Sequence, residues 1–149
     1  MRRFVLSIVF VAAAVATLSA QTPPRTIQIV ASDDMKWTVT RITAKPGEML
    51  RIKLVSKGVI PKVAMAHNFV LLAAAANAQK FIDVGASNRT TDFIAPSMKA
   101  QVLAASRFAG PGDTVYVDFK APAKAGSYTY LCTFSGHFQA GMKGVIVVK

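Results

Sequence analysis

The chain alternates between apolar and polar positions in short bursts, and those bursts define its architecture. Thr26-Ile27-Gln28-Ile29-Val30, Met49 to Val55, Thr114 to Phe119, Ser127 to Leu131 and Gly144 to Val148 alternate or are rich in β-branched and aromatic residues. That is the pattern of half-buried β-strands. Lys45-Pro46-Gly47-Glu48, Gly110-Pro111-Gly112-Asp113 and Ala121-Pro122 with Gly126 separate them with turn-forming residues. Short strands with turn signals between them predict an all-β fold, a Greek-key β-sandwich or barrel. One stretch breaks the pattern. Leu72 to Lys80 is rich in helix formers, and the polar region from Asn88 to Lys99 lacks alternation; together they predict an insertion with a short helix lying outside the sheets.

The first twenty residues have a different character. Arg2 and Arg3 precede an almost unbroken apolar run from Phe4 to Leu18, and Leu18-Ser19-Ala20 reads as a small-residue cleavage site. The run is shorter than the ~20 residues of a spanning helix. A cleaved export signal over 1–20 is therefore expected, with a retained N-terminal anchor as the alternative. The remainder, 21–149, is expected to be a single domain that is not inserted in a membrane, large enough to bury a core without disulfides. Loss of Arg2 and Arg3 leaves a formal charge of about +9. The basic residues are scattered rather than run together, which with export argues against nucleic acid and favours a solvated basic surface, with an acidic protein or anionic membrane face as the partners that charge would select.

Cysteine usage sharpens the picture. Exported domains usually carry cysteines in pairs, yet this chain has one, Cys132, and only two histidines, His67 and His137. All three lie in two short segments, Met65-Ala66-His67-Asn68-Phe69-Val70-Leu71 and Cys132-Thr133-Phe134-Ser135-Gly136-His137-Phe138-Gln139-Ala140-Gly141-Met142. The first reads as an apolar strand. In the second, a thiolate, an imidazole and a thioether follow one another at intervals of five on a loop between two strands, with Gly136 and Gly141 permitting tight turns. Two imidazoles, a thiolate and a thioether form a set that serves both Cu(I) and Cu(II). Each residue also has a plain reading: His67 a satisfied core histidine, Cys132 a small buried hydrophobe, Met142 core filling. Their joint occurrence favours copper.

These two segments resemble the azurin and auracyanin branch of the cupredoxins, the blue-copper proteins. Ile60-Pro61-Lys62, Asp34-Met35 and Gly110-Pro111-Gly112-Asp113-Thr114-Val115 extend the resemblance over roughly residues 26 to 149. It implies a cupredoxin fold and one type 1 copper held by His67, Cys132, His137 and Met142. Backbone N–H groups of Asn68 and Phe134 are implied as donors to the Cys132 sulfur. The implied function is electron transfer in the periplasm, without enzymatic activity. The implied partners are redox proteins such as a c-type cytochrome, docking at an apolar patch where His137 reaches the surface among Phe134, Phe138, Ala140 and Met65, with Phe138 as buried core the plain alternative. A copper chaperone or storage protein of the same fold is the alternative. The sequence departs from azurins in having four residues between His137 and Met142 rather than three, in lacking their disulfide, in Ser135 for proline, and in Ala66 for a glycine whose carbonyl approaches copper.

Overall fold

The computed structural model describes residues 23–149, so the export signal expected over 1–20 lies outside the described residues. Eight strands form two sheets: β1 (Arg25–Ser32), β2 (Arg41–Ala44), β3 (Met49–Lys57), β4 (Val70–Leu72), β5 (Val102–Ala105), β6 (Thr114–Lys120), β7 (Gly126–Leu131) and β8 (Lys143–Val148). One sheet has the order β1-β3-β6 and the other β2-β8-β7-β4-β5. β1 with β3 and β2 with β8 run parallel, and the remaining neighbours are antiparallel.

β3 shows how the pattern becomes structure. Leu50, Ile52 and Leu54 point inward and are fully buried, while Met49, Arg51 and Lys53 face out, as a period of two requires. On the outer face Arg51 stands opposite Asp118 of β6 and pairs with it; both are well exposed, so solvent screens the pair and it adds little to stability. Inner faces of both sheets supply one core, with Ile29, Leu50, Ile52, Leu54, Phe69, Leu71, Tyr130, Cys132, Met142 and Ile146 fully buried. A column of stacked rings crosses it: Trp37 on Tyr130 at 5.2 Å, Tyr130 on Phe69 at 5.1 Å, and Phe69 on Phe119 at 5.9 Å.

A second apolar cluster lies on the other face of the five-stranded sheet. Val70, Leu72 and Leu131 pack there against Phe81, Ala95, Met98 and Phe138. Phe81 belongs to a single α-helix, α1 (Ala78–Gly85), and Ala95 and Met98 to the segment that follows it. The insertion is thus a cover for the sheet. Its helix starts six residues later than the composition suggested, where the Asn77 side chain accepts from Lys80 N at 2.9 Å and caps the first turn. Leu72 instead ends β4, whose three residues are all buried because sheet faces are covered on both sides; alternation vanishes in such strands. β2 and β5, four residues each, carry too short a pattern to stand out in the sequence.

The topology sets up one end of the molecule. Val70 of β4 is registered with Leu131 of β7, and Leu131 with Lys143 of β8. Residues 67–69 therefore emerge beside 132–134, and 132–142 becomes the β7–β8 loop at the same end. No helix among the described residues is long and apolar enough to cross a membrane.

Candidate metal centre

His67 sits just before β4 rather than inside a strand. It makes an isolated antiparallel bridge to Ala109, with His67 N donating to Ala109 O at 2.9 Å and Ala109 N to His67 O at 2.8 Å. The imidazole is thereby hung from a fixed main chain. Cys132 follows the last residue of β7, and its N–H donates to Met142 O at 3.1 Å; Met142 N in turn donates to His137 O at 2.9 Å. The loop's main chain clamps all three residues to one another. Gly136 and Gly141 take φ of 83° and 103°, values that a side chain disfavours, and so permit the two reversals the loop needs.

Ligand atoms of His67, Cys132 and His137 lie within 4.8 Å of one another. Cys132 Sγ is 3.5 Å from His137 Nδ1, and the two imidazole centroids are 5.0 Å apart. All three residues are 1 % exposed or less. His67 Nδ1 is buried with no hydrogen-bond partner, a costly state for a polar atom unless something at the site accepts its lone pair or its proton. Met142 is fully buried in the same core cluster as Cys132. The Ala66 carbonyl oxygen lies 3.9 Å from the Cys132 sulfur.

Electrostatics point the same way. Burial pushes the Cys132 thiol up to about 12, against the pull of the Asn68 and Phe134 N–H groups. Burial, and then the neighbouring His67, bring His137 down to about 4. His67 is also lowered by burial, opposed by Asp33 and Asp34. At neutral pH the trio is therefore two neutral imidazoles and a thiol, with no carboxylate among them. A cation reverses this preference, binding the lone pairs and releasing the thiol proton. A thiolate with two imidazoles is a soft-to-borderline set that suits copper, not a hard ion. A protonated thiol beside a neutral imidazole is also a poor nucleophile, which argues against a cysteine hydrolase.

Asn68, fully buried, ties the two ligand segments together. Its Oδ1 accepts from Thr133 N at 2.9 Å and its Nδ2 donates to Thr133 Oγ1 at 2.9 Å. The single hydroxyl proton of Thr133 goes to Asp92 O, 2.6 Å away, so the insertion joins the network. The sequence reading assigned Asn68 only its main-chain N–H; the signal for its side chain was a polar residue inside an apolar run, which must find a partner. Phe93 and Phe108, which pack against Phe134, carried no signal at all.

The apolar surface expected around His137 is differently built. Phe138 is core, packed with Leu131 and Val70 and covered by the Lys143 amine 4.4 Å from its ring, because the turn after His137 directs it under the insertion. His137 itself is 1 % exposed, with Phe134 at 4.8 Å. Phe134, Ala140 and Met65 are half-buried.

Comparison with known proteins agrees with this geometry. The sequence signature of copper binding proteins, plastocyanin/azurin family, matches residues 25–149. Auracyanin-B of Chloroflexus aurantiacus is 28% identical over 130 residues, covering 86% of this chain, which spans only 54% of that protein. Azurin of Pseudomonas aeruginosa is 32% identical over 145 residues, covering 92% of this chain and 97% of its own. The crystal structure of dithionite-reduced auracyanin from Roseiflexus castenholzii superposes with a TM-score of 0.72 at 26% identity, covering 86% of this chain and 99% of that one. The all-β architecture is the cupredoxin fold, and the chain belongs to the plastocyanin/azurin family of copper binding proteins.

Proposed function

We propose that this chain is an exported electron carrier that holds one copper ion through His67, Cys132, His137 and Met142. The observation that carries the reading is the buried His67–Cys132–His137 trio, assembled by main-chain bonds and containing an imidazole nitrogen with no other partner. Copper, when bound, supplies a one-electron Cu(I)/Cu(II) couple. The chain's own part is to keep the donors still. His67 is bridged to Ala109, Cys132 and Met142 share a main-chain bond, and Asn68 locks Thr133, so little ligand motion accompanies a change of charge. The N–H groups of Asn68 and Phe134 aimed at the Cys132 sulfur favour the more electron-rich state and raise the potential.

A carrier is favoured over a chaperone or store because no donor of the trio is exposed for handing metal on. An electron can cross that cover where an ion cannot. The partner is a redox protein such as a c-type cytochrome. Apolar side chains on the loop leading into His67, with Val59 89 % and Val63 72 % exposed, support brief docking of the kind redox encounters use. Export of the chain through residues 1–20 would put this exchange in the periplasm. The test is voltammetry of the copper-loaded mature protein adsorbed on an electrode. A reversible one-electron wave is expected, and copper loss on reduction would contradict the reading.

A further inference from the structure

His137 is buried against Phe134, and two further phenylalanines from other parts of the chain pack on Phe134. Phe134 lies against its ring; Phe108 meets Phe134 edge to face at 5.6 Å and 86°, and Phe93 meets both, at 5.8 Å from Phe134 and 6.2 Å from Phe108. Edge-to-face contacts of this kind fix ring orientation as well as position. Phe134 belongs to the β7–β8 loop, Phe108 to the β5–β6 connection and Phe93 to the insertion.

The insertion goes to some length to put Phe93 there. Asp92 and Phe93 are consecutive residues with φ of 53° and 57°, a conformation non-glycine residues adopt only when their surroundings impose it. The surroundings do so at three points. Thr133 Oγ1 donates to Asp92 O, and Phe93 N donates to Asn88 O at 2.9 Å. At the end of α1, Gly85 is pressed so closely on Phe93 O that an added Cβ would stand 2.1 Å from it. Strain held at a site by its neighbours points to a functional placement.

We propose that the insertion between β4 and β5 seats Phe93, with Phe108 and Phe134, as an aromatic lid on His137. The lid keeps water and small anions from the imidazole, and electrons enter and leave through the rings. Gly85 acts as a positioning residue for the lid from outside the site. The metal-side consequence rests on the copper reading above; the closure of His137 does not.

The test uses the metal-free mature protein first. Diethyl pyrocarbonate modification is followed separately at His137 and His67 by peptide mass mapping, with circular dichroism to monitor the fold. In the wild type both histidines should react far more slowly than free imidazole. Phe108→Ala should speed His137 about tenfold, as for a group released from a closed to an open state, and leave His67 unchanged. Gly85→Ala should act in the same direction, and Phe108→Tyr should behave as wild type. Equal acceleration of both histidines, no acceleration in either variant, or a fast-reacting wild-type His137 would overturn the lid. In the copper-loaded protein, azide should perturb the visible spectrum of Phe108→Ala and not that of the wild type. If the wild type gives no copper-thiolate band while the reactivity pattern holds, the copper reading falls and the lid stands.

Discussion

Replacing Asn68 with leucine keeps the side-chain volume nearly constant and removes the amide that joins the ligand segments. Two hydrogen bonds to Thr133 are lost. The Thr133 N–H is then left without its acceptor in a residue only 2 % exposed. A net bond is worth about 1 kcal/mol and an orphaned buried donor costs about 1–3 kcal/mol more, so the metal-free fold should lose about 2–4 kcal/mol. Urea denaturation measures this directly: with a slope of about 2 kcal/mol per M, the midpoint should fall by about 1–2 M at unchanged slope. Copper should also leave the variant faster, because His67 and Cys132 are no longer held in register. Thr133→Val keeps the Thr133 N–H bond to Asn68 Oδ1 but removes the hydroxyl, which leaves the buried Asn68 Nδ2 without its acceptor and Asp92 O without its donor; its loss should be comparable. A change below about 0.5 kcal/mol in Asn68→Leu would refute the idea that this amide holds the site together.

Because burial lowers His137 from 6.5 to about 4, and His67 in the same direction, the unfolded chain binds protons that the folded chain refuses. Metal-free stability should therefore be complete above about pH 6.5 and decline as pH falls toward 4, by at most about 3 kcal/mol for His137, as read from denaturant midpoints across pH; a flat profile would contradict the burial. Gly144→Ala would place a Cβ 2.3 Å from Tyr130 Cζ and 2.6 Å from Thr40 O, so the β2–β8–β7 junction must shift, at about 1–3 kcal/mol; an unaltered melting temperature would argue against this packing. With a formal charge of about +9 over residues 21–149, stopped-flow electron exchange with an acidic redox protein should slow with salt as the Debye length shrinks from ~10 Å at 0.1 M to ~3 Å at 1 M. A rate independent of salt would leave docking to apolar contact alone.

What the sequence made legible was whatever repeats locally. β1, β3, β6, β7 and β8 declared themselves through alternation, β-branched and aromatic residues and flanking turns, most clearly in β3, with one face in the core and one toward solvent. β4 is legible only as an apolar strand over Met65 to Leu71, displaced from its true place, because Val70, Leu71 and Leu72 are buried on both faces and show no alternation, and His67 falls ahead of the strand on a single bridge. The donors were visible because the chain has so few residues of these types and places them in two family-like segments. The Asp92 carbonyl was beyond reach, since a backbone oxygen carries no sequence mark and its direction depends on a strained φ. So was the lid: Phe93, Phe108 and Phe134 meet only through long-range packing. The sequence leaves Phe138, adjacent to His137, open between surface patch and core; the fold turns it into the cluster beneath the insertion.

The central claim is that Cys132 and two histidines form one copper site. Addition of Cu(II) to the purified protein spanning residues 21–149, followed by visible spectroscopy, tests it most directly when Cys132→Ser is measured beside the wild type. The wild type should develop an intense blue thiolate-to-copper band that saturates at one copper per chain, and the serine variant should stay folded and show no such band. A blue band in Cys132→Ser, or none in the wild type, would contradict the account.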